Sequence, residues 1–444
     1  MKLDDIHGYI YRPGDPQWPS CYQTAVRAEP DLLIEAEDAA DVQRAVAYAA
    51  ENELPIAARN TGHGATSFTG GVLISTRRLQ RVDIDPHARL ARVGGGTTWD
   101  AVVHEAARYG LAPLSGSAPT VGVAGYSLGG GIGPLTRQYG YAADHITGLD
   151  VITADSRPRH VSADNHADLY WTMRGGGGSF GVVTALQFRL FPVDQVLAGA
   201  LSFDPERFPE IVSRYREWTT VVPDQLTSSL SLMTFPDLPT LPERIRGKRT
   251  LRLFVTCTDP RTCISAIDAL RTWGPVEDTI YPMPYAECSQ VFAEPATPHG
   301  YQGDAVTTAA LDPTAAATVK ERIDAETENC VFLQLHHLGG AAARQPEHEN
   351  AIGHRDATYV VRVTTPVARQ VPGDLASKQS ALIQGLAHGA TSRALNFLFG
   401  DNTAELSTSA CYEPETYQRL VNVKRRYDPA NLIRLGRAIS VNAR

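Results

Sequence analysis

This chain has little of what marks several common protein classes. Its six cysteines (Cys21, Cys257, Cys263, Cys288, Cys330 and Cys411) are scattered without a C-x-x-C pair. That spacing argues against a zinc site or a disulfide framework and for reduced, mostly structural thiols. No stretch approaches the ~18 consecutive apolar residues of a membrane span. The start, Met1-Lys2-Leu3-Asp4-Asp5, lacks the apolar core of a secretory leader. Basic residues never run longer than Lys424-Arg425-Arg426, and the net charge is −8, which argues against nucleic acid as a partner. No histidines fall at metal-ligand spacing, so no metal is assigned. Repeats and low-complexity tracts are absent as well. What these absences leave is a soluble, cytoplasmic globular protein whose 444 residues, 43% of them hydrophobic, suffice for two domains.

Glycine is abundant instead, and it is clustered. Gly62-His63-Gly64 opens a series that continues through Gly94-Gly95-Gly96, seven glycines between Gly116 and Gly133, and Gly175 to Gly178 with Gly181. Glycine costs backbone entropy, so this density marks backbone that bends sharply or approaches something large. Several such loops in one domain suit a cofactor lying along the protein, with backbone N–H groups facing a pyrophosphate.

The apolar periodicity predicts a helix from Ala39 to Glu53 capped by Asp38 or Asp41, then a buried strand Pro55 to Ala58 running into the Gly62 loop. Strands are predicted at 72–75, 81–85, 90–93, 148–153 and 181–190, with a helix from Thr97 or Thr98 through Arg108 ended by Gly110. After Phe191-Pro192-Val193 the long glycine runs stop. Strand-like segments (226–233, 251–256, 330–336, 358–364) then alternate with helical ones (205–220, 261–273, 313–327, 374–388), which reads as a second, α+β domain. A last helix is predicted over 413–426.

Gly176-Gly177-Gly178-Ser179-Phe180-Gly181 matches G-x-G-x-x-G, yet a helix precedes it and a strand follows. The classical dinucleotide fingerprint needs the reverse order, so that reading is rejected. His63, flanked by glycines, reads either as a polar loop residue or as a nucleophile whose imidazole bonds to an electrophilic cofactor carbon.

Four segments together carry a family resemblance. Arg59-Asn60-Thr61-Gly62-His63, Pro119-Thr120-Val121-Gly122-Val123-Ala124-Gly125 continuing to Gly129-Gly130-Gly131-Ile132-Gly133, Trp171 through Val183, and Tyr427-Asp428-Pro429-Ala430-Asn431-Leu432-Ile433-Arg434 occur in order. In this arrangement the chain resembles the berberine-bridge-enzyme-like branch of the vanillyl-alcohol oxidase superfamily over nearly its whole length. The resemblance implies an α+β fold: a two-lobed PCMH-type FAD-binding domain (1–193) and a substrate domain with a large antiparallel sheet backed by helices (194–393). A C-terminal segment (394–444) would return to the FAD domain. FAD would be held by Arg59, Asn60, Thr61, Gly62, His63, Gly64, Ser117, Ala118, Val121, Gly122, Gly125, Tyr126, Gly129, Gly130, Gly131, Gly133, Gly181, Val183, Asn396 and Asn431.

Three departures shape the expected chemistry. Where many relatives attach FAD a second time through cysteine, this chain has Ala118, so a single covalent bond at His63 is expected. Val121 occupies a position where, in the family, valine admits dioxygen and leucine blocks it. Ala394-Leu395-Asn396 replaces Tyr-x-Asn, so the usual phenol is missing and the base is open. Candidates are Tyr412, Tyr301, Tyr359 and His336; a phenol with pKa ~10 needs a nearby cation to serve near neutrality. His336 and His337 alternate faces of a strand, and Gln334 shares the face of His336.

The reaction expected from the resemblance is two-electron oxidation of a small organic alcohol, amine or sugar, with transfer to dioxygen and release of hydrogen peroxide. A flavin dehydrogenase, a monooxygenase and an inactive FAD-binding relative are the alternatives. Expected partners are the substrate and dioxygen, with a homodimer allowed.

Overall fold

The computed structural model describes residues 3–441 except 240, 244, 327, 369–370, 391, 402–407 and 435–436. Three sheets of four or more strands carry the described fold. The first runs Tyr9–Tyr11, Leu32–Glu35, Val72–Ser75, Ile56–Arg59, and its last three strands are parallel. Parallel neighbours need a crossover. The helix Ala39–Glu51 supplies one, and its N-cap Asp38 accepts a hydrogen bond from Asp41 N. Val42, Ala45, Val46 and Ala49, at helical spacing, are fully buried against Ile34, Ile56, Val72 and Ile74.

The second sheet has five strands in the order Pro158–Val161, Ile146–Ile152, Val182–Arg189, Leu90–Gly94, Val82–Asp85, with antiparallel neighbours. The helix Trp99–Ala107 packs Trp99, Val102 and Ala106 onto it. Thr98 is its N-cap, although the hydroxyl makes no capping bond.

The third sheet is the largest, with nine strands among the described residues. Its central order is Gln195–Phe203, Arg249–Cys257, Leu226–Thr234, Val331–His337, Tyr359–Pro366, Tyr301–Thr308, antiparallel throughout. Helices Phe208–Trp218, Pro260–Arg271, Ala316–Asp324 and Leu375–Leu386 cover one face, burying Leu230, Leu232, Leu253, Leu333, Leu335, Val361 and Val363. Each such side chain contributes about 1.5–3 kcal/mol when fully buried. Because strand side chains alternate faces, the residues between these point the other way. That opposite face carries the site.

The C-terminal helix Pro414–Tyr427 contributes Leu420, Val421 and Tyr427 to the same cluster as Trp99 and Leu169. Beyond it, Ile433 bridges Ile56 of the first sheet. Lys424, fully buried, ties this return together: its Nζ donates to Ser179 O (2.6 Å), Asp428 Oδ2 (2.6 Å) and Ile433 O (2.8 Å).

The structure departs from sequence expectation in places. Cys257 and Cys263 form a disulfide, which corrects the expectation of reduced thiols throughout. Their spacing of six residues carries no motif; the turn from strand into helix brings them together. Cys21, Cys288, Cys330 and Cys411 are free. The helix predicted over 205–220 opens with a 3-10 turn, Pro205–Arg207, capped by Asp204. The helix predicted to reach His388 stops at Leu386, and Ala387–His388 pairs with Ala310–Leu311. Thr327, the expected end of another helix, lies outside the described residues.

Candidate active site

The histidine loop sits between the first sheet and the large one. Glycine is obligatory at position 62: φ is +85° and a Cβ would lie 2.4 Å from Cys21 Sγ. The turn presents His63 against Tyr22, their ring centroids 3.5 Å apart and planes inclined 22°. His63 Nε2 pairs with Thr120 Oγ1 at 2.9 Å, joining this loop to the second glycine loop. Tyr301, from the large sheet, donates its hydroxyl to His63 O at 2.6 Å. Burial, reinforced by nearby His299 and opposed by the hydrogen bond at Thr120, lowers the imidazole pKa to about 4. The ring is therefore neutral at pH 7. Nε2 is committed to Thr120, and Nδ1 is engaged by no described residue; in the tautomer that donates Nε2–H to Thr120 Oγ1, Nδ1 carries the lone pair.

The two loops joined by the His63–Thr120 contact carry backbone N–H groups with no partner. Among the described residues those of Thr61, Gly62, His63 and Gly64, and of Gly116, Ser117, Ala118 and Thr120, make no hydrogen bond. Of these residues only Gly62 is buried and the rest are part-exposed or, at Gly64, exposed, so the two joined loops offer runs of N–H groups uncommitted within the protein, the kind of donor set that receives an anion. A Cβ on Gly64 or Gly125 would meet nothing within 4 Å. Both glycines are exposed, and neither is demanded by the protein's own packing. Buried Asn60 Oδ1, Asn396 Oδ1, Asn431 Oδ1 and Tyr126 OH are also without partners.

Other predicted cofactor residues build the walls. Asn60 Nδ2 donates to Thr97 O (3.3 Å) and presses on Gly122, while Asn396 Nδ2 donates to Tyr126 O (2.9 Å) and presses on Gly129. Gly131 packs on the Tyr126 ring, Gly133 on Ser115 O, Gly181 on Val151, and Gly130 near Ile352. Val183 O lies where a Gly95 side chain would begin. Arg59 reaches Pro19 O at 3.5 Å, and Val121 is held through backbone bonds to Ala118 O and from Trp99 N.

The face of the large sheet away from the helices packs in part on the N-terminal half, through Val196, Ala198, Ala305 and Val360, and carries polar side chains between these patches. In cross-strand register, one row reads Arg252, Ser231, Gln334, Arg362, Ala305, and the next reads Phe254, Ser229, His336, Val360, Thr307. Arg362 Nε donates to Gln334 Oε1 at 2.5 Å, and its guanidinium lies 4.6 Å from the centre of the Phe397 ring. Arg362 Nη2 is 3.9 Å from Glu294, which accepts from Ser117 Oγ at 2.9 Å. The second glycine loop and the sheet are thus joined through Glu294. His336 stacks on Phe397, centroids 5.4 Å apart and planes 8° apart. Its buried Nε2 has no partner. Burial first, then the charge of Arg362, holds its pKa well below the ordinary histidine value.

The structure brings Tyr301, Gln334 and His336 to this face. Tyr359 is a correction: it lies among the helix-facing residues and its hydroxyl pairs with Thr219 Oγ1 at 2.5 Å. Its position is odd on a strand whose odd residues, Val361 and Val363, all face the helices. His337 shares that side and contacts Arg137 Nη1 at 3.0 Å. Tyr412 is a second correction. It is buried in the cluster of Trp99 and Leu169, donating to Gly175 O at 3.1 Å, with burial raising its pKa well above the usual phenol value.

Sequence reasoning missed Tyr22, Thr120, Glu294, Arg362, Arg252, Ser231 and Phe397. A signal was present for the sheet residues. Ser229 and Ser231, Arg252, Gln334 and His336, and Arg362 all alternate with buried apolar residues, so the strands share one polar face. Elsewhere, one cluster among the described residues has metal-ligand character, His7, Asp38 and Asp41. There Asp41 accepts from His7 N, Gly8 N, Glu37 N and Arg44 Nη1, and Asp38 caps a helix. No described helix is long and apolar enough to cross a membrane.

Comparison with known proteins gives consistent matches. A model described as a FAD binding domain matches residues 30–162. (R)-6-hydroxynicotine oxidase of Paenarthrobacter nicotinovorans is 30% identical over 425 residues, covering 91% of this chain and 90% of that protein. The crystal structure of 6-hydroxy-D-nicotine oxidase from Arthrobacter nicotinovorans matches with a TM-score of 0.84 at 25% identity over 98% of both chains. BBE-like 1 of Physcomitrella patens shares the fold, with a TM-score of 0.84 at 19% identity, covering 100% of this chain and 99% of that one.

Proposed function

Because this chain belongs to the berberine-bridge-enzyme-like family of FAD-linked oxidoreductases, we propose that it is an oxidase of a small organic alcohol, amine or sugar, with FAD attached through His63 alone. When bound, FAD supplies two-electron acceptance from substrate and donation to dioxygen, giving hydrogen peroxide.

The residues fit that cofactor. The free N–H groups of Thr61 to Gly64 and of Gly116, Ser117, Ala118 and Thr120 would hold its diphosphate, with open space at Gly64 and Gly125. His63 Nδ1 is the tether: the ring is neutral, fixed on one face by Tyr22, and oriented through Nε2 by Thr120. Ala118 offers no second nucleophile. Tyr301 positions the histidine loop, since its hydroxyl is committed to His63 O.

On the sheet face, Gln334 and Arg362 orient the substrate, and His336 Nε2 takes the proton from its O–H or N–H. Phe397 holds the imidazole plane. In this reading residues 1–193 and 394–444 form the cofactor half and 194–393 the substrate half. Val121 lines the approach of dioxygen.

One observation carries the proposal: a neutral imidazole with a free Nδ1 beside two runs of unsatisfied N–H groups. The test is anaerobic mixing of the purified protein with a panel of alcohols, amines and sugars. Bleaching of the visible flavin band, with stoichiometric peroxide on admitting air, is the expected result. Bleaching without peroxide would assign a dehydrogenase, and incorporation of labelled dioxygen into product a monooxygenase.

A further inference from the structure

The polar face of the large sheet holds a cation that forms no ion pair among the described residues. Arg362 is partly matched by Glu294. Arg252, in the same cross-strand row, forms no ion pair among the described residues, and its buried Nε has no hydrogen-bond partner. Its guanidinium rests 5.0 Å from the centre of the Phe254 ring. Directly opposite, Ser231 is fully buried with its Oγ unsatisfied, and Thr250 Oγ1, two residues before Arg252 on the same face, is likewise unsatisfied. At the outer end of the row, Glu277 is taken by Ser202 Oγ at 3.0 Å. Phe292 covers this corner by stacking on Phe254, centroids 5.5 Å apart.

A buried guanidinium nitrogen and a buried hydroxyl on directly opposed residues, both unpaired, are costly unless an acceptor joins them. Two donors side by side match the two oxygens of a planar carboxylate. We infer that the substrate carries a carboxylate, received by Arg252 Nε and Ser231 Oγ, on the face where His336 acts. The inference rests on the reading of that face as the substrate side. Ser231 pairs with Gln334, and His336 is two residues further along that strand. Diagonal neighbours of this kind are about 7–8 Å apart. The oxidised carbon therefore sits several bonds from the carboxylate, which excludes α-hydroxy and α-amino acids and favours a ring or short chain between the two groups.

The test uses holoprotein and matched pairs: 4-(hydroxymethyl)benzoate and a series of ω-hydroxy alkanoates, each against its neutral carboxamide. Dissociation constants are read from tryptophan fluorescence and from thermal shift, independently of turnover. Carboxylates should bind wild type at least about tenfold more tightly than their amides, the usual effect of one charge-assisted contact. Arg252→Met should abolish that preference, weakening carboxylate binding by far more than amide binding, while leaving flavin content unchanged; Arg252→Lys should restore part of it. Equal binding of acids and amides across the series, or a preference surviving in Arg252→Met, overturns the inference, as does tighter binding of phenyl phosphate than of benzoate. An Arg252-dependent preference in a protein that never bleaches with substrate would sink the oxidase reading and leave the carboxylate site standing.

Discussion

His63 and Tyr22 lie ring against ring, 3.5 Å between centroids, and the Tyr22 hydroxyl donates to Pro295 O, next to Glu294. One aromatic residue from the N-terminal segment therefore links the histidine loop to the segment that reaches Arg362 on the sheet. The tether and the substrate face are set by the same short chain of contacts, so disturbing either is expected to register at the other. The expectations below follow from the individual contacts.

His336→Asn keeps a polar side chain but removes the proton acceptor. Turnover is expected to fall by about 10²–10⁴, with flavin content unchanged. Burial and Arg362 hold the imidazole neutral well below its ordinary pKa. The wild-type kcat/KM profile should accordingly stay flat as pH falls through 6.5, and an acidic limb at that pH would count against His336.

Val121→Leu adds one methylene at a position whose backbone is fixed by Ala118 and Trp99. Stopped-flow reoxidation by dioxygen should slow on the order of tenfold, equivalent to about 1.4 kcal/mol of barrier. Reduction by substrate should be unaffected. Unchanged reoxidation would remove Val121 from the path of oxygen.

His337 tests the fold rather than the chemistry. Burial, with a further contribution from Arg137, lowers its pKa to about 2 in the folded protein. The unfolded chain binds the proton near 6.5, so stability is complete above that pH and is lost progressively as pH falls toward 2. His337→Gln should flatten the acid slope of the thermal midpoint by about one proton, or ~1.4 kcal/mol per pH unit. An unaltered slope would mean that His337 is charged in the native state.

Lys424→Met strands a fully buried Asp428 carboxylate and two carbonyls, Ser179 O and Ile433 O. Breaking a buried pair from one side costs about 3–5 kcal/mol. The thermal midpoint should drop and flavin retention with it, because Ser179 belongs to the third glycine loop. Lys424→Met with Asp428→Leu should recover part of the loss. Full stability in the single variant would show that the C-terminal return is not held by this pair.

Much of the cofactor side was legible in the sequence because its signals are local. Gly62, His63 and the loops from Pro119 to Gly133 announce themselves by residue type and order. The Ala39–Glu51 helix follows from the spacing of Val42, Ala45, Val46 and Ala49. The glycines misled in one respect: Gly122, Gly129, Gly131 and Gly133 make way for Asn60, Asn396, Tyr126 and Ser115, and Gly64 and Gly125 are the ones that leave space. The substrate side is assembled by strand register, which single-chain periodicity does not reveal. Arg252, Ser231, Gln334 and Arg362 come from four strands spread over more than a hundred residues. Tyr359 and Tyr412 looked like candidates by residue type, and burial on other faces removed them. Cys257 and Cys263 meet only because a strand turns directly into a helix.

The most direct test of the central claim is acid precipitation of purified wild-type and His63→Ala protein, followed by absorption spectra of pellet and supernatant. Flavin is expected in the wild-type pellet and in the variant's supernatant. Wild-type protein that releases its flavin, or a His63→Ala pellet that stays yellow, would contradict attachment through this imidazole.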